Sequence, residues 1–156
     1  MNDCMVRAAL SGDMQEVFAI RNHPATRVFS SNQDELAWDA HVAWFTRQYL
    51  IPSPHRCYVL DCDDRVVGYC RFDARDDGGY AVSIALDPTF RGKGLGRLLL
   101  GRAMEAFGHS RGLYAEVLKK NAVSHKLFEE AGFVLDAEDT KAFILRKRGI
   151  GQDKTP

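Results

Sequence analysis

The sequence has no surplus of either charge: 21 Lys and Arg stand against 21 Asp and Glu in 156 residues. A neutral chain has no bulk field to gather a polyanion, which argues against general nucleic-acid binding and leaves only local basic patches. No stretch approaches the roughly 20 apolar residues of a membrane span. Met1 to Leu10 contains Asp3 and Arg7 and lacks the apolar segment of a secretory signal. Cysteine is sparse. Cys4, Cys57, Cys62 and Cys70 contain no CxxC pair and no zinc-type spacing, so buried reduced thiols, no metal and a cytoplasmic location are the expectations. What is present is enough apolar material for a core, 46% hydrophobic and 10% aromatic. A chain of this length corresponds to about one domain. That domain is expected over residues 1–148, with 149–156 as a loose tail.

Periodicity divides the chain in two. Val6 to Leu10 reads as an opening strand, and Asp13 followed by Glu16 as a capping-box start to a helix ending near Asn22, before Pro24. Ala25 to Gln33 is polar and irregular. Leu36, Trp38, Val42, Phe45 and Tyr49 recur at helical steps, which predicts a second helix over 34–50. The period then shortens. Cys57 to Cys62, Arg65 to Asp73 and Tyr80 to Leu86 read as an antiparallel run of three strands joined by Asp63-Asp64 and by Asp76 to Gly79. Beyond them lie a helix from Leu95 to His109, a strand from Leu113 to Leu118, a helix from Asn121 to Ala131 and a hairpin from Phe133 to Arg146. The pattern is that of an α+β fold.

Between Leu86 and the long helix runs Arg91-Gly92-Lys93-Gly94-Leu95-Gly96. A glycine turn entering a helix aims several unpartnered N–H groups at one place, and glycine lets a phosphate approach the backbone closely. Arg91, Lys93 and Arg97 add charge of the right sign. The Walker spacing GxxxxGK[ST] is absent, and the third glycine of the dinucleotide fingerprint GxGxxG is replaced by Leu99. What remains, Arg-x-x-Gly-x-Gly after Leu86-Asp87-Pro88, closely resembles the acetyl-CoA motif of the GNAT superfamily of N-acetyltransferases. The block Leu113 to Val117, Asn121, Ser124, Leu127-Phe128 and Gly132-Phe133 is similar to the next segment of the same superfamily.

That resemblance implies a mixed, mostly antiparallel sheet of about six to seven strands, splayed in the middle, with about four helices. It implies acetyl-CoA as cosubstrate, held by Ile84, Ala85, Leu86, Arg91, Gly92, Lys93, Gly94, Leu95, Gly96, Arg97, Asn121, Ser124 and Lys126. The Leu86 N–H is placed at the thioester carbonyl, where a donor aimed at developing negative charge is usually a large catalytic term. Glu116, on the strand flanking the splay, is the expected base for the acceptor amine, with His41 in reserve. Many members carry a tyrosine that protonates the leaving thiolate; Phe128 stands here instead, which leaves water, Ser124 or Tyr114 for that task.

Arg21, Arg27, Asn32, His41 and Trp44 resemble the acceptor region of members that acetylate nucleotide-linked amino sugars, as in pseudaminic acid biosynthesis. The expected acceptor is therefore a UDP-linked 4-amino-4,6-dideoxy sugar, its diphosphate paired with arginines. A ribosomal-protein-type N-terminal acetyltransferase and a non-catalytic acyl-CoA-binding module are the competing readings. The expected partner is a small molecule, without nucleic acid or membrane, on a monomer or homodimer.

Overall fold

The computed structural model describes residues 3–108 and 111–149. The order of elements is β1 (Cys4–Ala8), α1 (Met14–Asn22), α2 (Pro24–Arg27), α3 (Trp38–Phe45), β2 (Arg56–Cys62), β3 (Arg65–Ala74) and β4 (Tyr80–Leu86). It continues with α4 (Leu95–Phe107), β5 (Leu113–Leu118), α5 (Ala122–Glu130), β6 (Val134–Glu138) and β7 (Ala142–Lys147). The strands form one seven-stranded sheet in the order β1-β2-β3-β4-β5-β7-β6. Every neighbouring pair is antiparallel except β4 and β5. The expected splayed, mostly antiparallel architecture is what the chain adopts. His109 and most of the tail, from Ile150 on, lie outside the described residues.

Two apolar clusters pack on the sheet. Leu99, Leu100 and Ala103 of α4 and Phe128 of α5 bury against Phe72, Val82, Ala115 and Leu145. Val17 and Ile20 of α1 and Phe45 of α3 bury against Val59, Val66 and Tyr69. β3 serves both clusters because strand side chains alternate. A bulge between Leu60 and Asp61 of β2 shifts the register by one, so that Leu60 faces Gly68 and Asp61 faces Val66. Gly68 leaves room for its neighbours on β4 and α4: a Cβ there would stand 2.6 Å from Leu86 and 3.1 Å from Leu99.

Four local expectations are corrected. Asp13 does not begin a capping box with Glu16; its carboxylate accepts from Leu10 N–H at 2.7 Å and pairs with Arg7 at 2.8 Å, while Glu16 accepts from Val66 N–H at the bulge, 3.0 Å away. Ala25 to Arg27, expected to be irregular, belong to a helical turn started by Pro24, whose fixed φ suits a first helical position. The helix expected over 34–50 starts only at Trp38, because side chains take the backbone donors before it: Asn32 Oδ1 accepts from Asp34 N–H at 3.0 Å and Asn22 Oδ1 from Leu36 N–H at 2.7 Å. It passes into a wider turn at Thr46–Leu50. Finally, Cys4 and Cys62, register partners on β1 and β2, form a disulfide, whereas Cys57 and Cys70 are buried thiols as expected. Spacing alone cannot show two cysteines 58 residues apart meeting across a strand pair.

Candidate active site

β4 and β5 run side by side for only two register pairs, Tyr80 with Leu113 and Ala81 with Tyr114, and then part. From Val82 to Leu86, β4 keeps β3 as its partner; from Ala115 to Leu118, β5 keeps β7. Between them two strand edges face a gap. Two hydrogen bonds fix which peptide groups look into it. Tyr80 N–H donates to Gly112 on the β5 side at 2.9 Å, and Asp87 N–H donates to Val67 on the β3 side at 2.7 Å. Peptide groups alternate along a strand, so those of Val82, Ile84 and Leu86 face the gap and those of Ala85 face β3. Ile84 and Leu86 thus turn their peptide groups to the gap, as does Val82, while Ala85 turns its own to β3.

The glycine turn stands at the wide end. Asp87 organises the approach by accepting from Thr89 N–H at 2.9 Å, and Pro88–Phe90 make one helical turn. Gly92 and Gly94 then adopt φ of 77° and 78°, a left-handed conformation that favours glycine. Gly94 is the N-cap of α4, without a side-chain cap, and the first turn contains no acidic residue. The first helical N–H groups, from Leu95 to Arg97, therefore precede the Leu98 to Gly94 bond that opens the helical ladder. A Cβ added at Gly92 or Gly94 would meet nothing within 4 Å. Open space, uncapped donors and the positive helix end suit an anion such as a diphosphate.

The charged residues of the turn have partners of their own. Arg91 reaches back to the Leu86 carbonyl at 3.3 Å and to the Thr26 hydroxyl at 3.1 Å. Arg97 pairs with Glu130 on α5. Lys93 lies 5.3 Å over the Phe90 ring. At the start of α5, Asn121 Oδ1 accepts from Ser124 N–H at 3.2 Å, so Asn121 is a helix cap; Ser124 is half-buried and Lys126 exposed. Phe128 is buried against Phe133, with ring centroids 5.0 Å apart. Tyr114 sits at the closed end of the gap, under Arg75 at 3.8 Å.

Glu116 is on the splayed part of β5. Its neighbours Ala115 and Val117 bury towards α4, so its carboxylate projects to the α1 and α3 face, where it accepts from the Ser31 hydroxyl. Together with Arg91 on Thr26, this contact ties α2 and the segment after it to both sides of the gap, Thr26 to the turn that follows β4 and Ser31 to β5. Sequence reading singled out Glu116 and missed that span, because it joins residues 85 positions apart.

The acceptor residues are brought together only in part. His41 is 2% exposed, and both its nitrogens are engaged: Nδ1 lies 3.0 Å from Arg21 and Nε2 3.1 Å from the Met14 carbonyl. These partners fix the neutral tautomer, with Nε2–H donating to Met14 and Nδ1 accepting from Arg21. Burial, reinforced by the Arg21 charge, pushes its pKa down to about 4. His41 thus spends both ring nitrogens on Arg21 and Met14, and neither is left in this arrangement for the expected roles of reserve base and direct substrate contact. Arg21 stacks on Trp44, its Cζ 4.0 Å from the ring centroid. Arg27 is turned to the carbonyls of Asn22 and Gln33, at 3.0 and 3.3 Å, and Asn32 is exposed, its side chain closing its own turn. Behind Trp44 lie Arg71, Asp73 and Tyr49, none of which the sequence reading chose. The available signal was Arg71 itself, a charge set between the apolar Cys70 and Phe72 in β3.

The model of the Acetyltransferase (GNAT) family matches residues 14–133. The chain belongs to the GNAT family. It is 28% identical over 141 residues to the L-methionine sulfoximine/L-methionine sulfone acetyltransferase of Salmonella typhimurium, covering 85% of this chain and 81% of that one. It is 36% identical over 101 residues to the uncharacterised protein ML0378 of Mycobacterium leprae, covering 62% of this chain; it spans only 27% of that protein's length. Among solved structures, yncA of Salmonella typhimurium, determined with its cofactor acetyl-CoA, superposes with a TM-score of 0.80 at 23% identity, over 99% of this chain and 98% of that one. This GNAT protein is accordingly an acetyltransferase by family, and acetyl-CoA is the cosubstrate its family uses.

Proposed function

We propose that this GNAT protein moves the acetyl group of acetyl-CoA directly onto the primary amine of a small molecule, and that a UDP-linked 4-amino-4,6-dideoxy sugar is the first acceptor to test. The observation that carries the reading is the parting of β4 and β5 after two register pairs, with an uncapped, glycine-turned helix start at the mouth. The donors from Gly92 to Arg97 would hold the diphosphate of the coenzyme, helped by Lys93 and Arg97. The gap-facing peptide groups of Ile84 and Leu86 would receive its extended arm as a further strand, with the starting turn of α5 (Asn121, Ser124, Lys126) alongside. Bound there, acetyl-CoA supplies an activated acyl carbon. The Leu86 carbonyl is already occupied by Arg91, so the Leu86 N–H is the group left to polarise an acyl oxygen.

A primary amine must lose a proton before it attacks. Glu116 stands on the far edge of the gap, and the Ser31 hydroxyl orients its carboxylate as an acceptor for that proton. With Phe128 buried and lacking a hydroxyl, the thiolate leaves unassisted or takes its proton from Ser124 or water, which its acidity permits. A second acceptor class, an L-amino acid, is favoured by the relative that spans 85% of the chain and acts on methionine derivatives.

Thiol release from acetyl-CoA is the deciding measurement, run against the UDP-amino sugar, free L-amino acids and an N-terminal alanine peptide. Release with a small amine is expected. Release with the peptide alone would turn the reading to a protein acetyltransferase, and coenzyme binding without release from any amine would reduce the protein to a binding module. Glu116→Gln should lower turnover by about 100-fold with acetyl-CoA affinity unchanged; unaltered turnover would remove Glu116 from the mechanism.

A further inference from the structure

On the α1 and α3 face of the sheet, two guanidinium groups share one indole. Arg21 lies 4.0 Å and Arg71 5.1 Å from the Trp44 ring centroid. One carboxylate, Asp73, pairs with Arg71. Asp73 is 3.3 Å from Arg71, and its other oxygen accepts from the Tyr49 hydroxyl at 2.6 Å. Arg21 has the neutral His41 as its hydrogen-bond partner. The Arg71 side chain is only 19% exposed, and its buried Nε has no hydrogen-bond partner among the described residues. Two cations against one anion leave this aromatic enclosure one positive charge in excess.

We propose that the Arg21 and Arg71 pair is an anion anchor for the acceptor, which makes the enzyme select amines that also carry a carboxylate or phosphate near the nitrogen. The proposal rests on the acetyltransferase reading above and names its substrate class. An uncompensated guanidinium in an apolar setting is costly. Stacking on Trp44 and Tyr69 offsets part of that cost and leaves the charge itself in place. The fork geometry of arginine is suited to a planar carboxylate or a phosphate, and Arg71 Nε is a donor with no acceptor among the described residues. Burial and the charge of Arg71 hold the Arg21 pKa below its ordinary value, the response expected of two like charges awaiting a counter-ion.

Placement connects the pair to the chemistry. Arg71 is the register partner of Ser83, and Tyr69 of Ala85, both on the part of β4 that has left β5. Adjacent strands are about 4.8 Å apart, so an anion held by Arg71 lies one strand spacing from the gap. The carboxylate of an amino acid and the first phosphate of a nucleotide-linked amino sugar are the two anions an acceptor of this class would bring to it. The two share the anion and differ in what lies beyond it.

The test uses acceptors matched in amine and different in charge: L-methionine sulfone against its carboxamide, and the UDP-amino sugar against the free amino sugar. The wild-type enzyme should favour the charged member of each pair by at least about tenfold in kcat/KM. The pair with the greater rate identifies the source of the anion. Arg71→Gln should raise KM for the charged member by about tenfold, leave the neutral member and acetyl-CoA affinity unchanged, and Arg71→Lys should recover part of the loss. Equal rates for charged and neutral members in the wild type would overturn the proposal, as would an equal loss on both in Arg71→Gln. Should that variant not fold, wild-type selectivity decides alone. Where no amine releases thiol, the acetyltransferase reading has failed separately. The anchor is then judged by binding, read from Trp44 fluorescence in Trp38→Phe protein: a response to charged but not neutral amines supports it, and the same response to both overturns it.

Discussion

The two sides of the gap are built in different ways. On the α4 side the site is backbone: glycines at positive φ, an uncapped helix start and the free edge of β4, with a Cβ at Gly92 or Gly94 meeting nothing. On the α1 and α3 side it is side chains held by other side chains: Arg21 by His41 and Trp44, Arg71 by Asp73, Glu116 by Ser31. A backbone site is a local consequence of a short motif. A side-chain site depends on contacts between distant segments, so the first should tolerate changes in its surroundings and fail when its own glycines change, and the second should do the reverse.

The sharpest way to break that contrast is Gly94→Val. A non-glycine residue in this conformation costs roughly 1–2 kcal/mol of stability, and the valine side chain occupies open space at the N-cap of α4. Loss of two backbone donors to a charged phosphate is expected to weaken acetyl-CoA binding by on the order of 1000-fold, measured by calorimetry beside a thermal melt. Affinity within a few-fold of wild type would show that the coenzyme is held elsewhere.

The same contrast explains what could be read in advance. β4 and β5 were legible to the residue because apolar alternation ends at Asp87-Pro88 and at Lys119. The glycine turn was legible because only Gly92 and Gly94 can hold its φ. The start of α3 was not, since Asn22 and Asn32 take the donors of Leu36 and Asp34 through bonds that propensity does not see. Nor was the state of His41: its helical spacing beside Trp44 is the same for a free base and for an imidazole locked between Arg21 and Met14.

That lock gives the next expectation. The folded His41 pKa of about 4 lies below its ordinary 6.5. Below pH 6.5 the unfolded chain takes up a proton that the folded chain refuses, so stability from this group is complete above 6.5 and drains away as pH falls towards 4. The loss is roughly 3 kcal/mol at most. Denaturant unfolding of wild type and His41→Gln across this window should show the steeper decline in wild type. Parallel curves would mean that His41 is solvated, and would return it to the list of candidate bases.

The smallest effect tests whether any side chain contributes to the backbone side. Arg97 and Glu130 form a surface pair with side chains 74% and 36% exposed. Exposed pairs contribute little to stability, so Glu130→Gln should change it by less than about 0.5 kcal/mol. Removing the carboxylate also frees Arg97, which stands in the first turn of α4, to face a bound phosphate. Acetyl-CoA affinity should rise by about two- to fivefold at low salt, with the gain fading as ionic strength increases. A flat response at every salt concentration would mean that Arg97 is a solvated surface charge, and that the α4 side binds through its main chain alone.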